Sequence, residues 1–171
     1  MGTKTTELPE TIIGNRLREQ RLKLATAESC TGGLIGHRIT NIPGSSDYYL
    51  GGVVAYAYEA KTALLGVPAS LLAQFGAVSR QTVLEMAAGA RKALNADLAI
   101  SVSGIAGPGG GLPNKPIGTV WVGLAAPDGS WARCFHFPGD REQNKASAAE
   151  AALQILLEYL TGNRQLEDGQ Q

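Results

Sequence analysis

The sequence predicts an α/β fold: a three-layer α/β/α sandwich around a mixed sheet, with an antiparallel hairpin in its C-terminal part. Three observations carry this reading. Segments with helical spacing alternate with three short apolar or β-branched runs across residues 9–103, the pattern of parallel strands joined by helical crossovers. Two further strand-like runs, residues 119–125 and 131–137, flank Pro127-Asp128-Gly129, a short turn that returns the chain antiparallel. Apolar residues make up 44% and charged residues 18% of 171, which suits one domain of ordinary size spanning residues 1–171.

Taken in order, Pro9 opens a first helix in which Ile12, Ile13 and Leu17 share a face and Arg18, Arg21 and Lys23 complement the negative end of the helix dipole. Residues 24–27 form a short strand running into Glu28-Ser29-Cys30-Thr31-Gly32-Gly33, after which Leu34, Ile35 and Ile39 predict a second helix stopped by Pro43. The turn formers Pro43-Gly44-Ser45-Ser46-Asp47 precede residues 50–56, whose β-branched and aromatic content reads as a buried strand. Residues 59–65 and 69–75 are two small helices, stopped by Gly66 with Pro68 and by Gly76. Ser79 caps a helix with Val83, Met86, Ala87, Ala90 and Leu94 on its inner face. Residues 97–103 are a third strand ending in the glycine-rich loop 104–111, and the hairpin follows. Asp140 and Gln143 form a capping box for a long final helix with an apolar stripe of Ala149, Leu153, Leu156, Leu157 and Leu160. The ordered core is expected over residues 9–161, with a polar, frayed tail at 162–171.

Composition excludes several classes of function. Basic and acidic residues balance at 15 each, whereas a protein that replaces counterions on nucleic-acid phosphates carries an excess of Lys and Arg. No run of about 20 apolar residues can span a bilayer, and the start of the chain lacks a signal-peptide pattern, so no membrane association and a cytoplasmic location are expected. Cys30 and Cys134 stand far apart without metal-ligand spacing, and no HExxH, P-loop or GxGxxG pattern occurs. No metal and no cofactor are expected.

The chemistry concentrates in two loops that follow strand ends, where open α/β sheets bind ligands. In the first, Ser29 reads either as the cap of a helix beginning at Thr31 or as a presented nucleophile, with the N–H groups of residues 30–33 facing an oxyanion. The two histidines, His37 and His136, lack any local signature of a Ser-His pair. Lys61, set in the otherwise apolar Ala60-Lys61-Thr62-Ala63-Leu64-Leu65, reads either as a base activated by burial or as a solvated lysine paired with Glu59. The glycine-rich loop, with Ser101, Ser103 and Gly104 at its start, reads either as an anion cradle or as a flexible connection. Arg141 reads as a clamp for a substrate anion or as a surface ion-pair partner; Tyr56 and Tyr58 read as stacking groups or as core residues.

Together, Ala27-Glu28-Ser29-Cys30-Thr31-Gly32-Gly33, the run from Pro43-Gly44-Ser45-Ser46-Asp47 through Val53-Val54-Ala55-Tyr56, Glu59-Ala60-Lys61 and Ser103-Gly104-Ile105-Ala106-Gly107-Pro108-Gly109-Gly110 resemble the competence/damage-inducible CinA C-terminal domain over nearly the whole chain. The resemblance implies a stand-alone amidase that hydrolyses the carboxamide of nicotinamide mononucleotide to the acid with release of ammonia. It implies Ser29 as nucleophile, Lys61 as its base and Tyr56 as a neighbour that organises the site. Cys30 is the alternative nucleophile. Substrate binding is assigned by the resemblance to Cys30, Thr31, Gly32, Gly33, Ser103, Gly104, Ile105, Ala106, Gly107 and Arg141, with the phosphate on loop 104–111. Ala57-Tyr58 stands where the family often has Ser-Asn, which bears on substrate preference. The alternatives are an amidase for another small amide and a non-catalytic module that binds a nucleotide or protein partner in competence or DNA damage. A homodimer through apolar Tyr48, Tyr49 and Leu50 is also expected.

Overall fold

The computed structural model describes residues 7–163. Helix α1 (Pro9–Gln20) starts with proline in its first turn and ends where Arg21 takes a left-handed conformation, φ 56°. Strand β1 (Leu24–Glu28) is buried along its length. It leads through a turn to α2 (Leu34–Thr40), then to the edge strand β2 (Tyr49–Val54). Helices α3 (Tyr58–Leu65), α4 (Ala69–Phe75) and α5 (Arg80–Ala93) return the chain to β3 (Leu98–Gly104). The hairpin of β4 (Thr119–Ala126) and β5 (Gly129–His136) precedes α6 (Arg141–Leu160). No helix among the described residues is long and apolar enough to cross a membrane.

The strands lie in the order β2-β1-β3-β4-β5. β1 pairs in parallel with β2 and β3, whereas β3-β4 and β4-β5 are antiparallel. This is the predicted mixed sheet. One core packs α1, α2 and α6 over Leu24, Ile100, Val102, Val122 and Leu124; a second joins Ala25, Ala27 and Ala99 to Leu65, Leu72 and Met86 of α3, α4 and α5. Alternation along the strands sends successive side chains into opposite cores.

Both predicted caps form: the Thr82 N–H donates to Ser79 Oγ at 3.2 Å, and Asp140 and Gln143 cap α6 reciprocally. Several expectations change. β2 is a half-exposed edge strand and not a buried one, because β1 covers a single edge of it. Tyr48 is buried under α1 with the Arg18 guanidinium over its ring, and Tyr49 turns inward to hydrogen-bond Thr26 at 2.8 Å. Of the proposed dimer patch, Leu50 is the residue left exposed. The expected frayed tail lies, beyond Asn163, outside the described residues.

Candidate active site

The chain leaves β1 through α2 on one face of the sheet and returns from β2 to β3 through α3, α4 and α5 on the other. The two connections diverge above the C-terminal ends of β1 and β3, the switch point at which a parallel sheet opens a crevice. Ser29 and Ser103 stand at those two ends.

Ser29 continues the ladder past β1: its N–H donates to the Val102 carbonyl at 3.0 Å. Its hydroxyl lies on the face covered by α3, where Lys61 Nζ donates to Ser29 Oγ at 2.9 Å. Lys61 is completely buried, and its Nζ also donates to the carbonyls of Ala55 at 2.8 Å and Tyr56 at 2.9 Å. These three acceptors carry no formal charge. Burial therefore lowers the lysine pKa to about 8, a shift that the neighbouring Cys30 opposes. A neutral amine keeps two N–H groups for the two carbonyls and turns its lone pair on the Ser29 hydroxyl. The solvated-lysine reading of Lys61 does not hold.

The capping reading of Ser29 also fails, and the residue before it shows why. α2 begins at Leu34, not Thr31, and Glu28 caps it: Oε1 accepts from the Ile35 N–H at 2.9 Å and Oε2 from the Gly36 N–H at 3.1 Å. Thr31 Oγ1 donates to the same carboxylate at 2.6 Å, so its hydroxyl is committed to the turn and not to a ligand. Gly32 and Gly33 both have positive φ, 62° and 104°, which glycine adopts without strain. The Gly32 N–H closes the turn on the Ser29 carbonyl at 3.1 Å, while those of Thr31 and Gly33 have no acceptor among the described residues. Cys30 is buried, and desolvation pushes its thiol up to about 11, which disfavours the thiolate.

The start of the glycine-rich loop is fixed and not flexible. The Ile105 N–H donates to the Thr119 carbonyl and the Ile105 carbonyl accepts from Gly118. Asn144, buried in α6, donates to the Ala106 carbonyl at 3.0 Å. Arg141 divides its guanidinium between the Gly107 carbonyl at 2.8 Å and Tyr56 Oη at 3.0 Å, so it straps the loop to the end of β2. Tyr56 reaches the serine-lysine pair through its backbone carbonyl, while the residue is 60% exposed and its hydroxyl carries the Arg141 contact. Tyr58 spans from α3 to accept from the Ala77 N–H at 3.1 Å and walls a cleft of about 250 Å³ with Val78, Ile105, Gly110 and Lys115.

Sequence reasoning missed two residues. Glu28 was legible as an acid before a helix, but a cap that reaches forward to residues 35 and 36 has no short-range signature. Lys145, one turn after Arg141 on α6, brings Nζ to 3.9 Å from where a Cβ on Gly32 would stand. The histidines stay apart from Ser29: His37 contacts Asn41 on the surface of α2, and His136 is exposed at the end of the far edge strand.

Known proteins share this architecture. The chain is 51% identical over 145 residues to a CinA-like protein of Salinibacter ruber, an alignment covering 85% of this chain and 35% of that protein. It is 48% identical over 149 residues to a CinA-like protein of Desulfotalea psychrophila, covering 87% and 36%. The chain thus spans roughly a third of the length of these curated relatives. Among solved structures, the competence damage-inducible protein A of Klebsiella pneumoniae superposes with a TM-score of 0.87 at 37% identity, covering 90% of this chain and 96% of that one. A CinA superfamily protein of Escherichia coli gives 0.85 at 33% identity, covering 93% and 94%. A model of the CinA C-terminal domain matches residues 6–160, and with these relatives it establishes that the chain belongs to the CinA C-terminal domain family.

Proposed function

We propose that the protein is an amidohydrolase that deamidates nicotinamide mononucleotide to nicotinic acid mononucleotide and ammonia by a Ser-Lys mechanism. The observation that carries this reading is the fully buried Lys61 ammonium position, shared between Ser29 Oγ and two neutral carbonyls. A domain that only binds a nucleotide gains nothing from burying a lysine against a serine, since the burial costs free energy that no counter-charge returns.

In this reading neutral Lys61 takes the Ser29 proton as Oγ attacks the carboxamide carbon. The oxyanion forms against the open N–H groups of Thr31 and Gly33, donors already fixed by the turn. The Lys61 ammonium then passes its proton to the amide nitrogen, the C–N bond breaks and ammonia leaves. Water attacks the ester carbon, gives its proton to Lys61, and the acid departs as Oγ recovers the proton. Each half-reaction returns Lys61 to the neutral state. Beyond the reacting group, the nucleoside extends toward the cleft beside Tyr58 and Ile105, and the phosphate meets loop 104–111 and the cations of α6, Arg141 and Lys145.

The test is ammonia release from nicotinamide mononucleotide, its riboside and free nicotinamide, with Ser29→Ala and Lys61→Met checked for folding by circular dichroism. Release from the mononucleotide that vanishes in both folded variants is the expected result. Equal rates for all three compounds would overturn the nucleotide assignment, and no release from concentrated native protein would overturn the activity on this substrate.

A further inference from the structure

Strand β2 ends the sheet, and no strand lies beyond it among the described residues. Its outer side is open backbone. The Ala55 N–H donates to the Glu28 carbonyl, so by alternation Gly51 and Val53 also turn their backbone groups toward β1, while Gly52 and Val54 turn their N–H and C=O groups away from it. From Tyr48 to Tyr58 the sequence carries no charged residue and no proline, the two devices that commonly keep an open edge from pairing. Four of the eight exposed large apolar side chains among the described residues, Leu50, Val54, Tyr56 and Tyr58, fall in this stretch. The other outer strand, β5, differs: it carries Arg133 and His136 and is followed closely by Pro138.

An edge strand that recognises a foreign peptide selects it through pockets for alternate side chains or through charge, and Gly51-Gly52 in an uncharged strand offers neither. A second copy of the same strand needs no such selection. Laid antiparallel about a two-fold axis at Val53, Gly52 of one copy stands opposite Val54 of the other, and the outward N–H and C=O groups of both residues all find partners. The same register sets Leu50 of one copy opposite Tyr56 of the other, which covers the exposed Leu50, Val54 and Tyr56 and brings the second copy to the Tyr56-Arg141 contact at the rim of the candidate site. We propose that β2 is a self-association edge through which two copies of the chain join their five-stranded sheets, antiparallel, into one continuous sheet. The proposal does not depend on the amidohydrolase reading.

The experiment measures the mass of the full chain in solution by sedimentation velocity, from micromolar to submillimolar concentration, for native protein, Leu50→Lys, Val54→Lys and Val54→Glu, each checked for folding by circular dichroism. Leu50 and Val54 are exposed, so these substitutions leave the core untouched. Native protein is expected at twice the chain mass of 17.9 kDa. Each variant is expected to weaken association at least about tenfold, because it places a charge on the shared edge, where the two copies of residue 54 lie about 8 Å apart on one face. Mixing Val54→Lys with Val54→Glu should restore the double mass, since opposite charges then face each other. Native protein that keeps the single mass throughout, a folded variant that keeps the double mass undiminished, or a mixture of the two charge variants that stays monomeric overturns the proposal.

Discussion

Glu28 and Ser29 are consecutive residues whose side chains leave opposite faces of the sheet, Glu28 onto the Ile35 and Gly36 N–H groups of α2 and Ser29 onto Lys61 Nζ. The alternation of a strand separates the two tasks. Because the carboxylate takes the capping bonds, the hydroxyl is free for chemistry while the turn that presents it stays rigid.

This division predicts unequal stability effects. Glu28→Ala orphans the Thr31 hydroxyl and two α2 N–H groups and is expected to cost about 2 kcal/mol or more. Ser29→Ala removes one acceptor from a lysine that keeps two others and should cost less than about 1 kcal/mol. Urea unfolding of the two variants decides it, and a larger loss for Ser29→Ala would return the capping role to the serine.

On the proposed mechanism, the acid limb of activity is set by Lys61. With burial lowering its pKa to about 8, the amine is mostly protonated at pH 7 and unable to accept the Ser29 proton. The value of kcat/KM should rise close to tenfold per pH unit below that point and level off above it, whereas a solvated lysine would keep the rise going past pH 10. A pH-rate profile corrected for substrate titration checks this. An acid limb centred near the ordinary histidine value would assign the base elsewhere.

Much of this site was legible in the sequence, and the failures have physical causes. Ser29, Lys61 and the order of elements could be read because helix spacing, strand alternation and turn residues are local signals. Which of two readings each residue takes depends on contacts beyond the motif: Glu28 reaches forward to the Ile35 and Gly36 N–H groups, which frees Ser29 from capping, and Lys61 is buried against Ser29 and the carbonyls of Ala55 and Tyr56 that follow β2. Arg141 read as an anion clamp, but its neighbours on the Gly107 carbonyl and Tyr56 hydroxyl come from segments 34 and 85 residues away. β2 read as buried because edge and centre differ in what lies beside the strand, not in its composition.

The placement of Lys61 also depends on a close approach between helices. A Cβ on Gly89 of α5 would stand 1.9 Å from the Leu65 carbonyl oxygen at the end of α3, a collision with backbone that no rotamer relieves. Gly89→Ala is expected to destabilise the protein by about 3 kcal/mol and, in whatever fraction stays folded, to shift α3 and lower kcat more than it raises KM. Loss of stability with kcat unchanged would mean that the dyad tolerates movement of α3.

The last prediction separates the phosphate from the carboxamide. Lys145 forms no hydrogen bond or ion pair among the described residues, and it sits beside the turn that carries Ser29. α6 is held in place by Asn144 on the Ala106 carbonyl, so the position of Lys145 relative to the site is set by the fold. A cation within about 4 Å of a phosphate at a partly screened site is worth one to a few kcal/mol. Lys145→Met should therefore raise KM for nicotinamide mononucleotide about tenfold while altering kcat little, and should change kcat/KM for the uncharged-tail riboside by less than twofold. Added salt screens the same interaction, so the native preference for the mononucleotide should shrink as ionic strength rises, and the variant should show little of that dependence. Equal losses on mononucleotide and riboside would place Lys145 at the reacting carbonyl instead of the phosphate.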